Sequence, residues 1–321
     1  MHSFQRIQFS AAEPGPRLLV TGAVHGNEVC GTQAIRRLVA EFERDERRLR
    51  RGLVSFVPIT NPLAYERKQR NGDRNLNRRL QPTSAPQEFE DHIANWLCPL
   101  MAEHQALLDL HSFQAQGQPF VMVGPLDNGG PLQPFSQSAQ EQAWAKVLGV
   151  QRGVDGWLDT YAGGVAQRRA RIKGTAVGSA VDVDESYGVG TTEWMRRTGG
   201  MALTLECGQH EDPAGPEVAY RAIVNTLVHF GLIEGEAPPV QSMAGLRLHH
   251  VEDKQHVDDA FVRPWTSFDR LQPGQLIGHR ASGEPVHAPS GDWSGCIVFP
   301  NARAQAGNEW FYLAREIDRF R

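Results

Sequence analysis

His25 and Glu28 stand three residues apart in Gly22-Ala-Val-His25-Gly26-Asn27-Glu28. A neutral imidazole and one carboxylate suit a zinc ion, and a catalytic zinc usually takes three protein ligands plus water. Such a pair alone is common by chance. A third ligand should come from another strand end, and His111 in Leu108-Asp-Leu-His111-Ser112 directly follows a largely apolar run. Glu206 closes the apolar run of Leu203-Thr-Leu-Glu206-Cys-Gly208, where a carboxylate kept for structure would need a buried partner. Beside a zinc ion it would act as general base towards a water whose pKa the metal lowers. The fourth element runs from Gln69 to Arg79 and packs four arginines and three asparagines into eleven residues. Arginine forks bind carboxylates bidentately, so this run reads as an anion site or, more plainly, as an exposed basic loop.

The elements that must position these residues follow from the apolar pattern. Arg17-Leu-Leu-Val-Thr21 reads as a buried strand, and a helix follows from about Glu28 to Arg50 with Val29, Ile35, Leu38, Val39 and Phe42 on one face. Leu53–Val57, Ala106–Leu110 and Ala202–Glu206 read as further strands; Pro58 and Asn61-Pro62 stop the first of them. Helices are expected over Gln87–Glu103 and Glu217–Phe230. This alternation predicts an α/β fold, a mixed central sheet flanked by helices. His25, Asn61, His111 and Glu206 then all lie at or just beyond the carboxyl ends of strands, the edge at which open α/β sheets bind ligands. The patch Glu234-Gly-Glu-Ala-Pro-Pro239 reads as a linker. The chain therefore divides into a catalytic domain over 1–235 and a small β domain over 240–321. In the latter, Trp293, Trp310 and Phe311 read as core, and His249, His250, His256, His279 and His287 as surface or hydrogen-bonded residues.

Composition narrows the partners. With 321 residues, 40% of them hydrophobic, and a formal net charge of −4, the chain has no global drive towards nucleic acid or an anionic membrane. No apolar run approaches the roughly 20 residues of a membrane span. The arginines from Arg47 to Arg51 read as a solvated helix end. Cys30, Cys98, Cys207 and Cys296 are scattered without CxxC spacing and read as reduced, mostly buried thiols. A cytoplasmic location is the expectation, since Met1 to Arg6 lack the order of a signal peptide.

The motifs Gly22-x-x-His25-Gly26-Asn27-Glu28, Asn61-Pro62, Arg70…Asp73…Asn75-Leu-Asn77-Arg78, Asp109-Leu-His111 and Glu206-x-Gly208 occur in an order that resembles succinylglutamate desuccinylases and aspartoacylases, relatives of the zinc carboxypeptidases. The resemblance covers residues 17 to 235 well and the remainder more loosely. It implies one Zn²⁺ per chain, bound by His25, Glu28 and His111, with Glu206 activating water and later protonating the departing amine. It implies that Arg70 polarises the scissile carbonyl and steadies the oxyanion, and that Asn77 and Arg78 grip the substrate carboxylate. Arg196, ten residues before Glu206, resembles a further substrate-binding arginine, with Arg197 an equal alternative. The tyrosine that family members bring from the C-terminal part has no convincing match; Tyr312 is the only tyrosine beyond Tyr220. The resemblance implies a zinc-dependent amidohydrolase acting on an N-acylated amino acid or similar small molecule. Family members often pair, so a homodimer is the expected assembly. A carboxypeptidase acting on peptide C-termini would use the same metal site, and a non-catalytic metal- or carboxylate-binding protein would have no use for Glu206.

Overall fold

A computed structural model describes residues 2–172 and 184–321. The first half runs β1 (Ile7–Ser10), β2 (Arg17–Gly22), α1 (Cys30–Glu43), β3 (Leu53–Val57), α2 (Pro62–Arg67), α3 (Phe89–Ala102), β4 (Ala106–Phe113), β5 (Phe120–Met122), α4 (Ser138–Ala145) and β6 (Arg152–Asp155). Then come α5 (Trp157–Ile172), a 3-10 turn at Glu185–Gly188, α6 (Thr191–Arg197), β7 (Met201–Gln209) and α7 (Gly215–His229). The last part is β-rich: β8 (Ala244–Asp253), β9 (Ala260–Phe261), β10 (Arg270–Leu271), β11 (Leu276–His279), β12 (Pro285–His287), β13 (Gly295–Val298) and β14 (Glu309–Ile317).

One mixed sheet of 11 strands carries the fold, in the order β1-β3-β2-β4-β7-β5-β6-β8-β14-β13-β10, and a 3-stranded sheet β12-β11-β9 stands beside it. The expected class, a mixed sheet flanked by helices, is the observed one. Its centre is parallel: β3, β2, β4 and β7 run together, with Thr21 opposite Asp109 and His111 opposite Glu206. The sheet passes from β6 into β8, which pair in parallel, and on through β14 and β13.

Alternation along the strands sorts the side chains to two faces. Leu18, Val20, Leu108, Leu110, Leu203 and Leu205 point to one face, where they pack on Ile35, Leu38 and Val39 of α1 and Ile223 and Leu227 of α7. Leu19, Leu107 and Ala202 point to the other and meet Ile93 and Leu97 of α3 and Met195 of α6. All are essentially inaccessible to solvent, and each large side chain of this kind contributes about 1.5–3 kcal/mol by burial. A central row of Asp109, His111 and Glu206 breaks this pattern on the α3 and α6 face.

The structure departs from expectation where tertiary contacts outweigh local signals. α1 stops at Glu43, not near Arg50, because Asp45 turns the chain into the left-handed region (φ 59). Arg47 to Arg51 therefore lie past the helix, with Arg47 on Glu41 and Tyr220 and Arg51 on the Phe230 carbonyl. Asn61-Pro62, read as a stop, also starts a helix: the Asn61 side chain accepts from the Ala64 N–H at 3.1 Å, and proline fits the first helical turn. Trp293, Trp310 and Phe311 are buried together in the C-terminal part, as read. Among the described residues no helix is long and apolar enough to cross a membrane.

Candidate active site

At the carboxyl edge of β2 the chain turns sharply, with Ala23 at φ 47, and drops His25 and Glu28 ahead of α1. The turn is held against α2, since a Cβ on Gly26 would lie 1.9 Å from the Ala64 carbonyl carbon. His111 arrives from β4. Ligand atoms of His25, Glu28 and His111 all lie within 4.8 Å of one another, and all three side chains are buried.

Both imidazoles present Nδ1 to Glu28. His111 Nδ1 is 2.8 Å from Glu28 Oε2, and His25 Nδ1 is 2.9 Å from Oε1 but has no partner aligned for a hydrogen bond. The outward nitrogens are anchored: His25 Nε2 on Asn75 Oδ1 at 3.0 Å, and His111 Nε2 on Asp109 Oδ2 at 2.9 Å. Asp109 is fully buried and accepts in addition from the hydroxyls of Thr21 (2.6 Å) and Thr191 (2.5 Å). A carboxylate behind a histidine fixes its tautomer and raises its basicity, an arrangement typical of metal ligands.

Electrostatics separate the members of the group. Burial opposes the His111 imidazolium, yet Asp109 and Glu28 outweigh it and hold the ring well above the ordinary histidine range. His25 goes the other way, lowered to about 4 by burial and by the Arg70 charge. Burial acts against the Glu28 carboxylate too, but the His25 and His111 charges and hydrogen bonds keep it well below the usual carboxylate range. A dense, buried set of two nitrogen donors and one carboxylate, with an orphaned Nδ1 aimed into it, fits a zinc ion.

Glu206 lies beside this group, across the sheet from His111 on one side and Phe120 on the other. It is 8% exposed, and its Oε2 has no hydrogen-bond partner among the described residues. Burial pushes its carboxyl up to about 8, with the Glu28 and Asp109 charges adding to the rise and His111 and Arg70 opposing it. No buried cation forms a salt bridge with it among the described residues.

Each arginine fork of the 69–79 run meets a carboxylate of the protein itself. Arg70 is about half exposed and reaches Glu28 Oε1 at 2.9 Å. Arg74 is buried against Glu88 and Asp91, and Arg79 reaches Glu88. Arg78 is nearly buried, 3.0 Å from Glu309 of β14, and stacks over Trp157 with Tyr161 nearby. Asn77 Oδ1 accepts from the Thr191 N–H at 2.9 Å, at the start of α6. Because Thr191 also holds Asp109, Asn77 is joined to His111 through two side chains. The contacts of Arg196 lie elsewhere: its guanidinium pairs with buried Glu141 at 3.0 Å and donates to the Ala202 carbonyl. Ala202 is four residues before Glu206 on β7, about 13 Å along the strand. The reason is charge: Glu141 is fully buried, also binds the Gly124 and Ala202 amides and needs a cation beside it. Arg197 donates to the Leu132 carbonyl.

Several residues of the site escaped the sequence reading. Glu90 accepts from Asn61 Nδ2 and from the amides of Gly72, Asp73 and Arg74, and so shapes the arginine loop. Asn75 and Asp109 could have been found as polar residues inside motifs already singled out. Glu309 carried no local signal, and Tyr312, the only tyrosine beyond Tyr220, had surroundings without a convincing match. Tyr312 is buried beside Trp157, and its hydroxyl has no partner among the described residues.

Comparison with known proteins comes to the same region. The family model of the succinylglutamate desuccinylase/aspartoacylase catalytic domain matches residues 14–124. A probable aspartoacylase of Prochlorococcus marinus (strain MIT 9312) is 30% identical over 119 residues, which is 34% of this chain and 38% of that protein. The matched segment thus spans well under half the length of that curated relative. Among solved structures, a succinylglutamate desuccinylase/aspartoacylase from Rhodobacter sphaeroides superposes with a TM-score of 0.68 at 19% identity, covering 95% of this chain and 87% of its own. The product-bound ectoine utilization protein EutE (DoeB) from Ruegeria pomeroyi gives 0.70 at 16% identity, with 96% and 88% covered. At these identities the two structures speak for the fold.

Proposed function

We propose that the chain, whose residues 14–124 match the succinylglutamate desuccinylase/aspartoacylase catalytic domain, belongs to that family and is a zinc-dependent amidohydrolase. The substrate is an N-acylated amino acid or similar small carboxylate-bearing molecule. One observation carries the reading: two imidazoles converge on Glu28 by their Nδ1 atoms, and the unpartnered Oε2 of Glu206 lies on the same edge of the sheet.

His25, Glu28 and His111 would hold the metal, which when bound supplies Lewis acidity that activates water and polarises the amide carbonyl. Glu206 takes the proton of the attacking water and returns it to the leaving nitrogen. Its raised pKa suits this double use, because a base titrating near the working pH also makes a competent acid. Arg70 reaches over the cluster from its exposed position and steadies the developing oxyanion; one such donor is worth about 3–4 kcal/mol. Asn77 and Arg78 orient the substrate through its carboxylate, with Arg78 held in place by Glu309 and the Trp157 ring. Residues 240–321 border the entrance through Glu309 and Tyr312.

The test is metal content by mass spectrometry, together with hydrolysis of N-acyl amino acids and of dipeptides. Wild type should carry about one zinc per chain, and the His25→Ala, His111→Ala double variant none. Glu206→Gln should keep the zinc and lose turnover; wild-type rates in that variant would overturn its assignment. Faster cleavage of dipeptides than of N-acyl amino acids would instead point to a carboxypeptidase.

A further inference from the structure

His210 lies at the mouth of the site and has no part in the mechanism above. Its Nδ1 is 2.8 Å from Ser112 Oγ, and Ser112 in turn donates its backbone N–H to Glu28 Oε2 at 3.2 Å. The ring is half-buried, and its Nε2 has no partner among the described residues.

What places it there is a bulge. His111 is opposite Glu206, but Phe113 is opposite Gln209, so β7 contains one residue more than β4 across that interval. Gly208 absorbs the extra residue with φ 118, in the left-handed region that favours glycine. A one-residue shift exchanges the faces of everything that follows. Glu206 shares the α3 and α6 face with His111 and Asp109. An unbulged strand would put His210 on that face too. With the bulge, His210 emerges on the α1 and α7 face, where Ser112 also points, and its N–H bonds the Phe113 carbonyl at 3.0 Å. The Gly208 of the Glu206-x-Gly208 motif therefore aims His210, a role that the motif alone does not state.

The cluster of His25, Glu28 and His111 is linked to different residues on its two sides. Asn77 stands on the α6 side of the metal group, tied to it through Thr191 and Asp109, and Arg78 beside it donates to the Asn77 carbonyl. The Ser112–His210 pair stands on the other side, joined to the group through Glu28. An amide lying over the group with its carboxylate on Arg78 directs its acyl group towards His210. We propose that His210, oriented by Ser112, is a specificity-determining residue that hydrogen-bonds the acyl group of the substrate through Nε2. This rests on the amidohydrolase reading and selects acyl groups with a polar terminus, a carboxylate or a carbonyl, long enough to reach the imidazole.

The experiment compares kcat/KM for the formyl, acetyl, butyryl and succinyl derivatives of the amino acid whose acetyl form wild type cleaves fastest. It uses zinc-loaded wild type, His210→Ala, His210→Gln and His210→Asn, each checked for zinc content and thermal midpoint. His210→Ala should lose about tenfold or more on the succinyl substrate and less than about twofold on the formyl one. His210→Gln, whose amide reaches the Nε2 position, should recover most of the loss, and the shorter asparagine should not. A residue needed only for structure would lower all four substrates alike, and that result, or no change, would overturn the proposal while leaving the hydrolase reading intact. Should His210→Ala not fold, the glutamine and asparagine variants decide it: equal acyl profiles in the two overturn it. A wild type that turns over none of the series overturns the hydrolase reading and this proposal together.

Discussion

Asp109 is the residue on which the cluster of His25, Glu28 and His111 turns. Fully buried, it accepts from His111 and from two threonine hydroxyls, and its charge is the main reason that the His111 ring is held well above the ordinary range. Asp109→Asn keeps the shape and removes the charge. Zinc affinity should fall by about 10–100-fold, measured by competition with a chelator, while His25 and Glu28 stay in place. Glu206 offers a second test, in the metal-free protein. Its pKa lies near 8 in the fold and near 4.5 when unfolded. The unfolded chain therefore releases this proton first, and the group costs stability increasingly as pH rises from about 4.5 to 8, with the full cost above that. Metal-free Glu206→Gln should accordingly be more stable than metal-free wild type at pH 8.5 and equal to it at pH 4. Denaturant melts at the two pH values read the difference directly, and an equal gap at both would remove the buried charge as its cause.

Helices and loops hold these residues through contacts of unequal legibility. The strands that deliver His25, His111 and Glu206 are apolar runs closed by glycine or polar residues, and they lie where periodicity puts them. β5 and β6, of three and four residues, carry too little pattern to be seen alone. The Glu206–Gly208 bulge could not be read either, because register is a property of two strands and the sequence presents each separately. Arg196 shows the limit of motif spacing: it stands ten residues before Glu206, yet a buried glutamate from α4 holds its guanidinium. The arginine loop depends in the same hidden way on Glu90, whose two oxygens gather four N–H groups. Glu90→Ala would leave those donors unsatisfied, at about 1–3 kcal/mol each before relaxation. The loop should loosen, so KM should rise, and kcat should also fall because Arg70 moves with it. A KM effect without any change in kcat would place Arg70 outside the chemistry.

At the scale of the whole molecule, the C-terminal strands come back to the arginine loop of the first half. β14 reaches the sheet through β8, and Glu309 at its start meets Arg78, 231 residues earlier. A pairing so distant leaves no trace in local composition, which is why the C-terminal part read only as β-rich. The pair is consequential because Arg78 is nearly buried: without a counter-charge its guanidinium would be desolvated and unpaired. Burial opposes the Glu309 carboxylate, but Arg78 overrides this and brings it down to about 2. A depressed carboxylate stabilises the fold above its unfolded pKa, near 4.5, and the benefit fades as pH falls through about 2. Glu309→Gln should thus destabilise by up to about 3 kcal/mol at neutral pH, and the gap to wild type should narrow on acidification below 4.5. If Arg78 also grips the substrate carboxylate, the same variant raises KM by freeing the guanidinium from its fixed position, with zinc content unchanged. A variant that loses stability with KM intact would confine Arg78 to a structural role and move carboxylate recognition to another group.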